Sequence, residues 1–378
     1  MSSESMSDVF PDPRTTPLEN ASASSRLGDV TVQPLPDGQG DDQQPDSLLA
    51  RLREPRTIIS FLIAIAIVIF AFTRLDLDFN EVWRQMKAAN PLLIVAAGVM
   101  YYGSLLARGM RWKAMLARVD IDDAHGYPMP GPFGMFQIIF FSWFANSVVP
   151  ARLGDAYRSY LLKQKTKASF GASLGTILAE RLIDLVVLVL VLLGSGIIVF
   201  GTKVPHRAEQ AFLIGAAVVV VGVIGTIVLW IGRDFFVKLL PDRIAAHYAN
   251  LHAGIFEVLR RPFSFGAISI GLWLMDGIRL LLVAYSLDQH LTLQEATMVA
   301  GLSALATIVP VTPAGLGVVE SFAVWILTQV DVGKDTAGAI ALLDRFVTYF
   351  SLVLIGIPAY LWMMRRVVKS DDDATTSR

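Results

Sequence analysis

Long apolar runs, separated by short polar connections, occupy most of the chain. Six of these runs are continuous and cover residues 57–73, 91–107, 180–200, 211–231, 265–286 and 340–363. Roughly 20 predominantly apolar residues form a helix long enough to cross the ~30 Å hydrocarbon core of a bilayer. The pattern therefore predicts an all-α fold, a polytopic helical membrane protein with six full spans.

Two further apolar stretches are interrupted by proline and glycine. Residues 132–150 end in NSVVPARLGD, and residues 294–330 contain VPVTPAGLG. Proline lacks the backbone donor that a helix interior needs, and glycine is flexible there. The arms 294–310 and 317–330 would be about 25 and 21 Å long, short of a full crossing. The sequence therefore predicts two re-entrant broken helices, with breaks shaped by Pro150, Gly154, Pro310, Pro313, Gly315 and Gly317.

The two ends of the chain differ from the rest in composition. Residues 1–50 are rich in Ser, Pro, Asp and Gln, and a segment with so few large apolar residues is predicted to be a disordered tail. The transmembrane domain is predicted to cover 51–366, followed by a short tail, 367–378. The first apolar run begins near Thr57, too far from the N-terminus for a secretory signal, so we expect it to be retained as a span.

Residues 232–262 are amphipathic and charged at both ends. This pattern predicts a helix lying on the membrane surface. Residues 75–90 show a shorter version of it. An ordinary solvated connection remains the alternative for both segments.

Lysine and arginine in the connections predict the topology, because cytoplasmic loops are enriched in them. If 132–150 dips into the membrane and returns, most of these residues lie inside the cell. If 132–150 crosses fully, everything after it inverts and most of them lie outside. The first arrangement predicts both termini in the cytoplasm and a multi-pass protein of the cell membrane.

The two breaks resemble each other. The first reads VVPARLGD (148–155) and is followed by ERLID (180–184), whereas the second reads IVPVTPAGLG (308–317) and is followed by LDRFV (343–347). The predicted topology places them on opposite sides of the membrane. This is the pattern of an inverted repeat, in which broken helices meet near the bilayer midplane. Chance recurrence of proline and glycine in apolar sequence is the alternative.

Charged residues within apolar runs are costly to insert and are therefore functional or paired. Adjacent helical residues point about 100° apart, so Asp344 and Arg345 are predicted to have different partners. Asp276 and Arg279, at i,i+3 spacing, are predicted to form an intramembrane pair. The candidate substrate-binding side chains are Arg152, Asp155, Arg158, Glu180, Arg181, Asp184, Glu320, Asp344 and Arg345.

A half-helix that begins at a break directs its partly positive N-terminus inward. Arginine adds a bidentate donor suited to phosphate. Together these features predict a site for an anionic lipid headgroup. The alternative is that the charges form interhelical ion pairs that only fix the packing.

Composition narrows the classes of function. The chain has no cysteine, its five histidines are scattered, and its net charge is −1. Walker and HExxH motifs are not found in it. We therefore expect no metal, no cofactor, no nucleic-acid partner and no enzymatic activity.

Three segments, NSVVPARLGDAYRSYLL, AERLIDLVVL and VPVTPAGLGVVES, resemble the signatures of the lysylphosphatidylglycerol synthetase membrane-domain family, also called flippase-like. The resemblance covers roughly residues 57–366. Two positions depart from the family pattern, since Asp155 replaces the usual Glu and Ala314 replaces a Gly. The pattern carries over onto Asn146, Pro150, Arg152, Gly154, Asp155, Arg158, Glu180, Arg181, Asp184, Pro310, Thr312, Pro313, Gly315, Gly317, Glu320 and Arg345. It thereby adds Asn146 to the candidate substrate-binding residues and Thr312 to the break residues.

The resemblance implies translocation of a lipid across the bilayer, with an anionic phospholipid or a lipid-linked intermediate as substrate. Because the chain has no ATP-binding motif, we expect this transport to be passive or ion-coupled. The family's aminoacyl-transferase domain is expected to be absent, because the chain ends 12 residues after Arg366. Two alternatives stay open. One is a non-catalytic scaffold or regulator of a partner synthase. The other is a membrane enzyme for a lipid-linked substrate that uses Glu180, Asp184 or Glu320 as acid or base. A homo-oligomer is a separate possibility for the partners of this chain.

Overall fold

The computed structural model describes residues 77–148, 153–201, 206–232, 235, 241–307 and 315–362. In these ranges the regular structure is helical and no strand occurs, as the sequence predicts for an all-α fold. The predicted span 57–73 and the predicted tails lie outside them. The helices are α1 Phe79–Ala88, α2 Pro91–Leu116, α3 Pro132–Val148, α4 Gly154–Thr166, α5 Phe170–Phe200, α6 His206–Ile231, α7 Asp242–Leu259, α8 Pro262–Tyr285, α9 Leu293–Ala306, α10 Val318–Gln329 and α11 Lys334–Trp362.

Five of the described helices, α2, α5, α6, α8 and α11, are long and apolar enough to cross a membrane. They coincide with five of the six predicted spans. The start of α5 was predicted ten residues too late. The helix begins at Phe170, where the Ser169 side chain accepts a hydrogen bond from the backbone N–H of Ala172. Residues 170–179 are mostly small, so their weak hydropathy hid the first turns.

The two interrupted stretches form pairs of short helices. The first pair, α3 and α4, has 17 and 13 residues, and the second, α9 and α10, has 14 and 12. At 1.5 Å per residue none exceeds about 26 Å, which is shorter than a bilayer core. The two helices of each pair pack against each other. The predicted helix breaks are thus present, and the connections 149–152 and 308–314 lie outside the described residues.

The order of long and short helices occurs twice. In the first half, α2 to α5, a long helix is followed by two short arms and another long helix, and α8 to α11 repeats this order. In each half the first arm packs on the preceding long helix and the second arm on the following one. An extensive contact between α2 and α8 joins the halves. The packing supports the internal repeat, whose inverted sense stays a prediction.

The predicted surface segment 232–262 is, over Asp242–Leu259, a helix packed along α5. Glycines permit this close approach. A Cβ at Gly175 of α5 would lie 2.9 Å from the Cα of Gly254 in α7. Asn250, Ala253 and Val258 are buried. The segment is therefore part of the helical core and is not a solvated connection, whereas its place at the membrane surface stays a prediction.

Candidate functional site

Arg111 is the centre of the first cluster of buried charges. Its guanidinium lies 3.0 Å from Glu180 and 2.8 Å from Asp184 of α5. The two carboxylates share a face of α5 because they are four residues apart. Ser269 of α8 adds a hydrogen bond from its hydroxyl to Asp184 (2.8 Å). Three long helices are therefore joined at one buried arginine.

Arg158 of α4 connects the first hairpin to the same cluster. Its Nη2 lies 3.0 Å from the second oxygen of Glu180, and its guanidinium stacks 3.9 Å from the ring centre of Trp112. The indole N–H of Trp112 donates to the hydroxyl of Thr176 at 3.0 Å. Arg158 is thus held between a carboxylate and an aromatic face, an arrangement that suits arginine better than lysine.

A second link between the first hairpin and α5 is more exposed. Arg181 donates to both oxygens of Asp155, at 2.7 and 3.1 Å. The predicted site residue Asn146 has a different role, because its side-chain oxygen accepts the backbone N–H of Gly154 at 2.8 Å. It closes the hairpin. The other predicted residues of this break, Pro150 and Arg152, lie outside the described residues.

The second hairpin carries the second cluster. One oxygen of Glu320 lies 2.8 Å from Nε of Arg345, and the other accepts the backbone N–H of Gly317 at 2.6 Å. Asp344 instead forms an ion pair with Arg279 of α8. The adjacent residues Asp344 and Arg345 thus have different partners, as their spacing predicts. A π-helical turn, Phe346–Phe350, follows directly in α11, and such turns are frequent at functional sites.

Glycine is required at the second break by backbone conformation. Gly315 and Gly317 have φ of +69° and +84°, values that favour glycine. The predicted break residues Pro310, Thr312 and Pro313 lie outside the described residues.

The predicted pair Asp276–Arg279 is only part of a larger arrangement. The two side chains are 4.0 Å apart, whereas Arg108 of α2 donates to Asp276 at 2.8 Å. Asp276 and Arg279 each have a closer partner on another helix, Arg108 and Asp344 respectively. The i,i+3 spacing allows the two side chains to meet, but residues on neighbouring helices offer them closer ion pairs. The guanidinium of Arg108 also lies 5.3 Å from the ring centre of Trp143.

Arg108 and Arg111 are site residues that the sequence reasoning missed. The predicted span ended at residue 107, and both arginines were placed in a cytoplasmic connection. The predicted end of the span is wrong, because α2 continues to Leu116 and both side chains are buried, whereas their side of the membrane stays a prediction. The available signal was their i,i+3 spacing at the end of an apolar run.

The ion pairs of the two halves follow the same scheme. Each half has an acidic residue followed directly by arginine on its last helix, Glu180–Arg181 and Asp344–Arg345. The acidic residue pairs with an arginine of the half's first helix. The arginine pairs with a carboxylate near the start of the second short arm. This repeated connectivity supports the internal repeat independently of the proline and glycine match.

Both clusters are balanced in charge among the described side chains. The first contains three arginines (Arg111, Arg158, Arg181) and three carboxylates (Asp155, Glu180, Asp184). The second also contains three arginines and three carboxylates. A phosphate group that binds one of these arginines therefore competes with the carboxylate already paired with it. The members of the second cluster are Arg108, Arg279, Arg345, Asp276, Glu320 and Asp344.

A small cavity of about 40 Å³ lies within the second cluster, between α8, α9, α10 and α11. Arg279, Ser303, Glu320, Asp344 and Arg345 provide its polar lining. Among the described residues, the hydroxyl of Ser303 and Nη2 of Arg345 have no hydrogen-bond partner. A polar cavity of this size has room for roughly two or three waters. Within the described ranges no group of three His, Asp or Glu side chains could hold a metal ion.

The long apolar helices, the two broken-helix pairs and the buried charge clusters define a multi-pass α-helical membrane protein. Residues 57–356 match the family described as lysylphosphatidylglycerol synthase TM region, and the chain belongs to this family. The match covers both hairpins and both charge clusters.

Similar proteins extend over most of the chain. UPF0104 membrane protein MJ1078 of Methanocaldococcus jannaschii is 30% identical over 230 residues, which are 60% of this chain and 97% of that protein. A UPF0104 membrane protein of Methanothermobacter thermautotrophicus is 22% identical over 353 residues, covering 84% of this chain and 97% of that protein. Glycosyltransferase AglD of Haloferax volcanii is 24% identical over 357 residues, covering 82% of this chain but 55% of that protein.

Proposed function

We propose that the protein moves a phosphate-bearing lipid between the two leaflets of the membrane. The observation that carries this proposal is the series of buried ion pairs that leads from one hairpin to the other. Arg158 and Arg111 share Glu180, and Arg108 lies one turn from Arg111 on α2 and binds Asp276. Charged groups inside a membrane protein mark the pathways of polar substrates.

The surroundings of this series suit a lipid. Many large apolar side chains on the outer faces of α2, α5 and α6 are exposed, as expected for contact with acyl chains. A lipid could keep its tails in the bilayer while its headgroup passes along the charged side chains. Arginine is the residue that best matches a phosphate, because its planar guanidinium donates two parallel hydrogen bonds.

The family and its members support a lipid or glycan-linked substrate. The family takes its description from lysylphosphatidylglycerol synthase, and one relative is named as a glycosyltransferase. An anionic phospholipid and a lipid-linked glycan intermediate share a phosphate next to an apolar tail. The proposed substrate class is defined by that shared chemistry.

We also propose that the chain is not itself an enzyme. The three acid or base candidates, Glu180, Asp184 and Glu320, are each held by at least one arginine. Each of these carboxylates already has an arginine partner, whereas a general acid or base has to lie within hydrogen-bond reach of the substrate. The ion-pair series is better suited to positioning a charged headgroup.

The proposal can be tested with purified protein in phosphatidylcholine vesicles that contain a fluorescent phosphatidylglycerol or a fluorescent polyprenyl phosphate. A membrane-impermeant quencher reports how fast each lipid reaches the outer leaflet. We expect movement faster than in empty vesicles, and a loss of at least about tenfold for Arg345→Ala. The exposed Arg260→Ala is the matched control. Rates equal to those of empty vesicles for both lipids would overturn the proposal.

A further inference from the structure

Glu320 has two different oxygen partners. One oxygen accepts the backbone N–H of Gly317 at the start of α10, and the other pairs with Nε of Arg345 at 2.8 Å. The side chain of Glu320 is 6% exposed and that of Arg345 is 12% exposed. One oxygen is therefore held by the backbone, and the other depends on the arginine for its charge compensation.

A phosphate that binds Arg345 with two parallel hydrogen bonds, through Nε and through Nη2, which is unpartnered among the described residues, takes the place of that second oxygen at Nε. Glu320 would then be a buried carboxylate without its cation, which is strongly unfavourable in a medium of low polarity. A buried carboxylate in this position takes up a proton, because burial disfavours its charged form. The exchange of partners at Arg345 and the protonation of Glu320 are therefore linked.

The small polar cavity within the second cluster provides a route for this proton. It borders Glu320, and it contains the hydroxyl of Ser303 and Nη2 of Arg345, neither of which has a partner among the described residues. Waters in a polar cavity pair with such groups. A proton could reach the oxygen of Glu320 that Arg345 releases, while the other oxygen keeps the N–H of Gly317.

Other charged or titratable groups face Glu320 from two helices. Arg279 approaches from α8, and Asp344, Arg345 and Tyr349 belong to α11. The connection 308–314 contributes no charged side chain. Asp344 pairs with Arg279, so Arg345 is the ion-pair partner of Glu320.

The equivalent pair in the first half does not meet the same condition. Arg181 and Asp155 occupy the corresponding positions, but their side chains are 40% and 26% exposed. Water can compensate Asp155 if a phosphate takes its arginine, so no proton is required there. The two halves therefore differ at this point, since of these two equivalent pairs only Arg345–Glu320 is buried enough to require a proton.

We propose that Glu320 binds one proton whenever Arg345 binds a phosphate-bearing headgroup, so that lipid and proton cross together. This inference rests on the lipid transport proposed above. The proton comes from water and joins Glu320, Arg345 stays protonated, and no covalent bond of the lipid is changed. When the phosphate leaves, Glu320 releases the proton and pairs with Arg345 again.

The test uses the full chain in phosphatidylcholine vesicles with a fluorescent phosphatidylglycerol in the membrane and a pH-sensitive dye inside. We expect lipid movement to be accompanied by proton movement in the same direction, and to accelerate at least about threefold when a pH gradient favours that direction. Glu320→Gln, which cannot ionise, should lose both proton movement and the response to the gradient.

Glu295→Gln is the matched control. Glu295 is half-buried in a capping box at the start of α9, a position at which glutamine is also found. We expect this variant to keep the gradient response. Thermal unfolding of each variant in detergent distinguishes loss of coupling from loss of fold.

The outcomes separate the two proposals. If the wild-type protein moves the lipid at a rate independent of the gradient and without protons, the proton inference is wrong and lipid transport stands. If Glu320→Gln responds to the gradient as the wild type does, the inference is also wrong. If the wild-type protein moves no lipid, both proposals fail.

Discussion

Arg108 and Asp276 lie 2.8 Å apart and join the two halves of the molecule. Arg108 belongs to α2, the first helix of one half, and Asp276 to α8, the first helix of the other. Each stands three residues before an arginine, Arg111 or Arg279, that pairs with a carboxylate on the last helix of its own half. The two residues thus occupy equivalent positions in the repeat and bind each other across it.

We predict a strong energetic coupling between Arg108 and Asp276. Arg108→Met or Asp276→Leu alone leaves a buried charge without its nearest partner, which should cost on the order of 3 kcal/mol of unfolding free energy. The double variant leaves fewer charges unpaired and should lose much less than the sum of the two single changes. Denaturant titration in mixed micelles measures these values.

The exposed pair Arg260 and Glu257 provides the control for this cycle, because an exposed i,i+3 ion pair contributes only ~0–1 kcal/mol. The same two truncations there, Arg260→Met and Glu257→Leu, should show little coupling. Strictly additive losses at Arg108 and Asp276 would mean that the pair does not hold the halves together.

The next prediction concerns the glycines where α5 meets α7. A Cβ at Gly175 would overlap the backbone around Leu251 and Gly254, so Gly175→Ala must force the two helices apart. We expect a loss of about 1–3 kcal/mol of unfolding free energy. Gly194, on the same helix, has no atom within 4 Å of its added Cβ. Gly194→Ala should be neutral or stabilising by up to ~1 kcal/mol. Equal thermal shifts for the two variants would contradict this close packing.

Arg111 provides a test of guanidinium geometry. Its planar guanidinium contacts both Glu180 and Asp184. A lysine side chain is shorter and carries its charge on a single nitrogen. Arg111→Lys should leave a buried carboxylate oxygen unpaired, at about 1–3 kcal/mol of unfolding free energy. It should also slow lipid movement. Arg118→Lys, at an exposed position after α2, is the control for both measurements. A variant as stable as wild type would show that charge alone is sufficient at this position.

Local sequence signals predicted the helix breaks well. Proline and glycine change the backbone at their own positions, so both hairpins and the need for glycine at Gly315 and Gly317 could be inferred without knowing any neighbour. The separate partners of Asp344 and Arg345 also followed from helical geometry alone. In each case the deciding feature is the local backbone geometry of the residues concerned.

The buried arginines of α2 could not be predicted in this way. A hydropathy pattern ends the span at Arg108 and Arg111, because it includes the unfavourable insertion of each charged side chain but not the ion pairs that stabilise it. The compensating groups, Asp276 and Glu180, are 168 and 69 residues away along the chain. Only the packing of α2 against α5 and α8 brings them together. The role of Asn146 in closing its hairpin is likewise a property of the folded chain.

The inverted sense of the repeat can be tested with single cysteines, since the natural chain has none. Gln164 lies at the end of α4, the second arm of the first hairpin, and Gly333 follows α10, the second arm of the second hairpin; both positions are exposed. Lysine and arginine placement predicts that the first faces the cytoplasm and the second the outside. A membrane-impermeant maleimide added to intact cells should therefore label Gly333→Cys, and should label Gln164→Cys only after permeabilisation. Labelling of both variants in intact cells, or of neither, would place the hairpins on the same side and make the repeat parallel.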